Sequence, residues 1–195
     1  DTLDVQVALR YEDYGGTTGD TVDYKLAASW RATEDFSLRA SASSSFRAPS
    51  IFQRDGGGTA LNQVRDPLTN STSFAATRAS GNPELVPEES DAFNIGLSFE
   101  TVDDLSIKMD YWSFDFTNLI IQENFQAILF AEPQNTDRVV RAGDPLNGPV
   151  TQVNITYVNA SSLETSGLDI VFGYKIDTDM GTFTPNFSAT YILAY

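Results

Sequence analysis

Charge avoids one side of this chain. The sequence contains runs in which every second residue is apolar and the residues between carry the charges, the period of a β-strand with one polar face. Leu3, Val5, Val7, Leu9 and Tyr11 share one side, against Asp4, Gln6, Ala8, Arg10 and Glu12. Similar runs cover 22–32, 36–48, 92–100, 168–176 and 183–195, and another opens Leu105, Ile107, Met109, Tyr111. The apolar sides of these seven runs hold no Asp, Glu, Lys or Arg, whereas the opposite sides hold thirteen, among them Asp23, Lys25, Arg39, Arg47, Lys108, Asp110 and Asp169. A Lys or Arg near the bilayer midplane costs about 2–4 kcal/mol, so a lipid-facing surface demands this exclusion.

A soluble antiparallel sheet with one wet face also alternates. Two features favour a membrane. The runs reach about ten to thirteen residues, whereas soluble strands average about five or six and a tilted membrane strand needs about nine to eleven. The connections also alternate in length. Short turns are expected near 33–35, 102–104 and 177–181, and longer links at 14–20, 49–87 and 119–153. Up-and-down strands place all the short turns at one end and all the long loops at the other, as in outer-membrane barrels. The expected fold is therefore all-β, an antiparallel up-and-down transmembrane β-barrel represented by about seven strands. The sequence opens at Asp1 without a signal peptide and stops at Tyr195 within an alternating run, so both ends read as cut.

Two local questions stay open at this stage. After Tyr111 the apolar residues become Trp112, Phe114 and Phe116, the opposite phase. A β-bulge at Tyr111–Trp112 would return them to the lipid side; without one they point inward. Residues 124–131 are expected to form one short helical turn.

Composition removes whole classes of chemistry. There is no Cys, hence no disulfide framework or thiolate, and no His, the commonest general base and a frequent metal ligand. A net charge of −15 leaves no basic excess to neutralise phosphate, which argues against a nucleic-acid partner. The inward-facing Ser residues have no imidazole beside them, and no spacing selects a carboxylate pair. No catalytic residue, cofactor or metal ligand is assigned, and the chain is read as a non-enzyme. Glu88, Glu89 and Asp91 near the outer rim offer hard oxygen ligands for a cation bridging lipopolysaccharide, with plain surface charge as the alternative.

Specific segments point to a family. Phe46-Arg47-Ala48-Pro49-Ser50 looks like the "FRAPS" segment of TonB-dependent receptors. Gly81-Asn82-Pro83-Glu84-Leu85, followed by Pro87-Glu88-Glu89-Ser90, is similar to their "GNPxLxPExS" segment. Asp110-Tyr111-Trp112 with 117–121 resembles a "DYY…I" strand end, and Thr165-Ser166-Gly167-Leu168-Asp169 a "TxGxD" segment. Order and spacing agree over most of the chain. The resemblance implies a 22-stranded barrel closed by an N-terminal plug, of which residues 1–195 would be part of the barrel domain, the plug and the C-terminal strands lying outside. It implies an outer-membrane location and TonB-dependent uptake of a scarce nutrient of the siderophore, cobalamin or oligosaccharide class. Its implied partners are outer-membrane lipid and lipopolysaccharide, the small-molecule nutrient, and the TonB complex through an N-terminal region. A passive channel or barrel enzyme, and a soluble extracellular β-sheet adhesin or lectin, are the competing readings.

Candidate ligand contacts are arginines on the expected loops or lumen wall: Arg47, Arg54, Arg65 and Arg78. The competing role for Arg39 and Arg47 is pairing with lumen carboxylates such as Asp23, and for the loop arginines solvated surface charge. Phe52, Phe74, Phe125 and Phe130 share the two longest loops with several Arg, a mixture suited to a bulky polar ligand.

Overall fold

A computed structural model describes residues 1–16, 18–101, 104–131, 137–160 and 162–195. Along the chain run β1 (Thr2–Gly15), β2 (Gly19–Arg31) and β3 (Phe36–Arg47), then a first insertion of α1 (Ile51–Asp55), β4 (Gly57–Asp66) and β5 (Ser71–Ser80). β6 (Glu88–Glu100) and β7 (Leu105–Thr117) precede a second insertion of β8 (Ile120–Gln122), α2 (Phe125–Phe130), β9 (Val139–Arg141) and β10 (Val150–Asn159). β11 (Leu163–Tyr174), a small hairpin of β12 (Ile176–Thr178) and β13 (Gly181–Phe183), and β14 (Asn186–Ala194) complete the order.

The alternating runs become one antiparallel meander, β1-β2-β3-β6-β7-β11-β14, with β1 and β14 at its edges. Register carries the apolar pattern across it: Leu3 lies beside Trp30, then Leu38, Leu97, Met109, Ile170 and Ala189 in one row. One residue along, the opposite face reads Asp4, Ser29, Arg39, Gly96, Asp110, Asp169 and Thr190. A slip of one position would exchange the two faces, so their continuity over seven strands fixes the pairing. Both long insertions and the β1–β2 hairpin leave one end of this wall; the turns after β2, β6 and β12 lie at the other.

The wall has no core of its own among the described residues. Leu9 is 74% exposed and Leu26 49%, while the buried apolar cluster consists of Val64, Ala75, Ile128, Leu129, Val139, Val150, Val153 and Ile155, all in the insertions. A soluble sandwich would bury such a face against a second sheet. No helix among the described residues is long and apolar enough to cross a membrane.

Several expectations are corrected. The link at 14–20 is not long: β1 runs to Gly15 and β2 starts at Gly19. Gly15, Gly16 and Gly19 take φ of +64°, +58° and +72°, which lets the chain reverse tightly. The stretches 49–87 and 119–153 are not plain loops. They form a second sheet, β4-β5-β10-β8 with β9 on β10, in which β5 and β10 run parallel. Parallel pairing thus occurs, but between the two insertions and never within the wall. The last run is divided at Pro185, which has no N–H for the ladder. The helical turn at 124–131 appears as α2, with Asn124 accepting from the backbone N–H of Gln126 and Ala127. The turn at 102–104 lies partly outside the described residues.

Candidate functional site

Trp112 settles the inward face of the upper wall. β7 pairs with both neighbours without a register shift near Tyr111, so there is no bulge there. Trp112, Phe114 and Phe116 therefore share the face of Asp110 and form a ladder, with ring centroids 5.9 and 6.2 Å apart. Trp112 lies over Gly167 on β11, where a Cβ would collide with the indole. Glycine at this position makes room for the ring.

Below the ladder, Arg39 reaches across Gly96 to Asp110, donating from Nε at 3.0 Å and from Nη2 at 2.6 Å to each carboxylate oxygen. The three residues lie side by side on β3, β6 and β7, and a Cβ on Gly96 would strike both charged groups. Asp23, expected to pair with these arginines, instead faces Arg10 at 3.6 Å and accepts from the Ser44 hydroxyl. At the rim Arg47 pairs with Glu88, donating from Nη2 at 2.6 Å. Glu88 also accepts the Ile120 backbone N–H at 2.7 Å, which fastens β8 to the wall. The pleat sends Glu89 and Asp91 to the face opposite that of Glu88, and Asp91 accepts from the Tyr24 hydroxyl. Among the described residues no group of three or more acidic side chains is placed to hold a metal ion.

Above the rim the two insertions fold together. Arg141 on β9 forks onto Asp66 at the end of β4 at 2.6 and 2.9 Å, and the pair is almost fully buried. Thr69 Oγ1 and the Leu68 N–H also donate to Asp66. The Arg141 guanidinium, with these two donors, holds the Asp66 carboxyl far below the usual carboxylate range despite its burial. Arg138 does the same to Glu123, more mildly, within the second insertion.

Beneath this clamp a cleft of about 540 Å³ opens on the core side of the loop sheet. Gly58, Ala60 and Asn62 of β4 form one wall, Gln122 to Phe125 another, and Phe52 of α1 closes an end. Asn62 donates to Thr77 Oγ1 at 2.5 Å, and Phe52 stands edge-on to Tyr157. None of Arg47, Arg54, Arg65 or Arg78 lines this cleft. Arg54, on α1, lies 3.4 Å from Thr18 Oγ1 at the β1–β2 hairpin. Arg65 and Arg78 are exposed on the outer face of the loop sheet, opposite Thr72 and Thr59 respectively. Phe74 shares that face, so of the four loop phenylalanines Phe52 and Phe125 alone belong to the cleft. Asn62, Thr77, Gln122 and Asn124 carry no signal in the sequence, because only folding of one insertion onto the other brings them together.

The model of the family described as "TonB dependent receptor-like, beta-barrel" matches residues 1–195, and the chain belongs to that family. This is a family of outer-membrane receptors and transporters, not an enzyme class. Solved structures agree on the fold. The siderophore receptor PirA of Pseudomonas aeruginosa aligns with 98% of this chain and 32% of its own, at 19% identity and a TM-score of 0.63. A mutant of the ferric enterobactin receptor PfeA from the same organism aligns over 98% and 24%, at 20% identity and 0.66. The Serratia marcescens hemophore receptor HasR, solved with its hemophore HasA and heme, aligns over 98% and 29%, at 17% identity and 0.58. The chain thus spans about a quarter to a third of the length of these receptors. No curated protein matches the chain in sequence.

Proposed function

We infer that this chain supplies part of the wall and the outer ligand-capture surface of a receptor that imports a scarce nutrient with energy delivered through TonB. The observation that carries the reading is the loop assembly. A passive pore needs an open lumen, whereas here two long insertions are tied by a buried ion pair into a structured body with its own apolar core and a cleft. In this reading residues 1–195 are a partial barrel domain, and further strands of the same receptor pair with the free edges of β1 and β14. A plug fills the lumen, and an N-terminal segment engages the TonB complex. The apolar face meets lipid, and the rim meets lipopolysaccharide.

The nutrient belongs to the siderophore, cobalamin or oligosaccharide class; siderophore and heme binding by the structural neighbours supports a small-molecule ligand. Of the four arginines, Arg65 and Arg78 are proposed contacts for an anionic group, because both are exposed on the loop sheet. Arg47 and Arg54 contribute at the rim, where each also has a partner in the wall or hairpin.

The test is uptake by cells carrying the full receptor, with and without TonB, across a panel of radioiron-loaded siderophores, cobalamin and neutral oligosaccharides. Import of at least one compound should vanish without TonB. Undiminished TonB-independent uptake would reject active import in favour of a passive channel.

A further inference from the structure

We propose that the cleft and the free edge of β4 form a binding site for an extended peptide segment, taken up as an added strand. The proposal rests on the loop assembly being the capture surface and goes beyond that in naming the ligand's chemistry. β4 is the outer strand of the loop sheet, paired on one side only, with β5. Three hydrogen bonds show which of its backbone groups point away from β5. Gly56 O accepts the Gly81 N–H on the β5 side, and at Arg65 both backbone groups face outward, the N–H donating to Gln126 Oε1 at 2.9 Å and the C=O accepting from Gln126 Nε2 at 2.7 Å. The β4–β5 register is unbroken from Gly57 to Asp66. Antiparallel pairing alternates inward and outward groups with a period of two, so Thr59, Leu61 and Gln63 also present N–H and C=O outward. Among the described residues no backbone group pairs with them on that side.

Gln126 does to Arg65 what a neighbouring strand would do. Its side-chain amide offers one donor and one acceptor, as a peptide unit does, and it closes the upper part of the edge. The lower part stays open. There the edge borders the cleft, whose lining includes Thr59, Ala60 and Asn62 on β4 and Phe52 and Phe125 across from them. A strand laid along Thr59–Gln63 spans roughly 14 Å at about 3.4 Å per residue. Every second side chain of it would enter the cleft between the two phenylalanines. Main-chain bonds then supply affinity and the cleft selects the side chain, the usual division in strand addition. The cleft falls within the range of about 300–1,000 Å³ common for ligand pockets. Its one carboxylate, Glu123, is neutralised by Arg138, which favours an uncharged residue there.

The experiment uses the full receptor in detergent micelles and a library of capped hexapeptides, read by affinity selection and mass spectrometry. A second library of the same sequences carries N-methyl groups at alternate residues, and neutral oligosaccharides serve as a third probe. Enrichment of peptides with an aromatic or branched apolar residue is expected, falling at least tenfold for the N-methylated library. Leu61→Pro removes one outward N–H and no β4–β5 bond, so it should abolish enrichment while the receptor keeps its melting temperature. Phe125→Ala should alter which side chains are enriched. Equal retention of both libraries, undiminished binding by Leu61→Pro, or retention of oligosaccharides alone would overturn the proposal. A loss of TonB-dependent uptake with peptide binding intact would count against active import and leave this site standing.

Discussion

Gly96 makes room on the inward face for a pair of charges. Arg39 and Asp110 meet across it, so Gly96→Val must push the ion pair apart. Overpacking of this kind costs about 1–3 kcal/mol, which should appear as a lowered midpoint in reversible unfolding of the full receptor; Gly173→Val, nearer the edge strand β14, serves as comparison. On the other face, Leu97→Arg should cost about 2–4 kcal/mol in a bilayer, and Ser41→Arg, facing inward, less. Equal penalties would contradict the assigned faces. Those faces were legible residue by residue, because side-chain period in a strand is two and lipid tolerates no charge. Partners were not. Arg39 was expected to find a lumen carboxylate and did, but as Asp110 rather than Asp23. Alternation tells which side a charge is on; only register tells which charge lies next to it.

At the scale of elements, the clamp between the insertions governs the loop body. Asp66→Asn removes the carboxylate charge from a buried ion pair, and losing one partner of such a pair costs about 3–5 kcal/mol. The loss should be local: hydrogen exchange in β4 and β9 should rise while β3 and β6 stay protected. Uniform protection in the variant would show that the clamp is idle. Acid should act in the same way. The Asp66 carboxyl lies below its unfolded value, so its contribution is complete above roughly pH 4 and is lost as pH falls from there towards the folded value. Glu123 has the same sign, so exchange in the loop body should rise below pH 4. The loop sheet itself escaped the sequence reading. β4 and β5 lack a clean apolar alternation, and the parallel pairing of Gln152 with Ala76 joins residues far apart in the chain. The inward direction of Trp112, Phe114 and Phe116 also had no local signature; the glycine at 167 shows its purpose only once it lies under Trp112.

For the whole molecule, the division of labour follows from where apolar surface goes. The wall leaves its apolar face uncovered and the insertions bury theirs, so one part is suited to lipid and the other to water. Deleting 57–80 should leave the receptor inserted in the outer membrane but weaken ligand binding, because β4 and β5 supply the loop sheet and not the wall. A receptor that no longer inserts after this deletion would show that the insertions fold the barrel. The most direct measurement is cysteine labelling in intact cells, and the chain has no native Cys to interfere. On a receptor with any other cysteine removed, Leu97→Cys and Ser98→Cys place a thiol on opposite faces of β6, and Phe74→Cys places one on the exposed face of the loop sheet. A membrane-impermeant maleimide should label Phe74→Cys in whole cells. In the purified receptor in lipid, Ser98→Cys should label much faster than Leu97→Cys, and a probe on Leu97→Cys should be quenched by nitroxide-labelled lipid. Protection of Phe74→Cys in whole cells, or equal labelling of the two β6 positions, would contradict a barrel wall with this face in lipid and these loops outside.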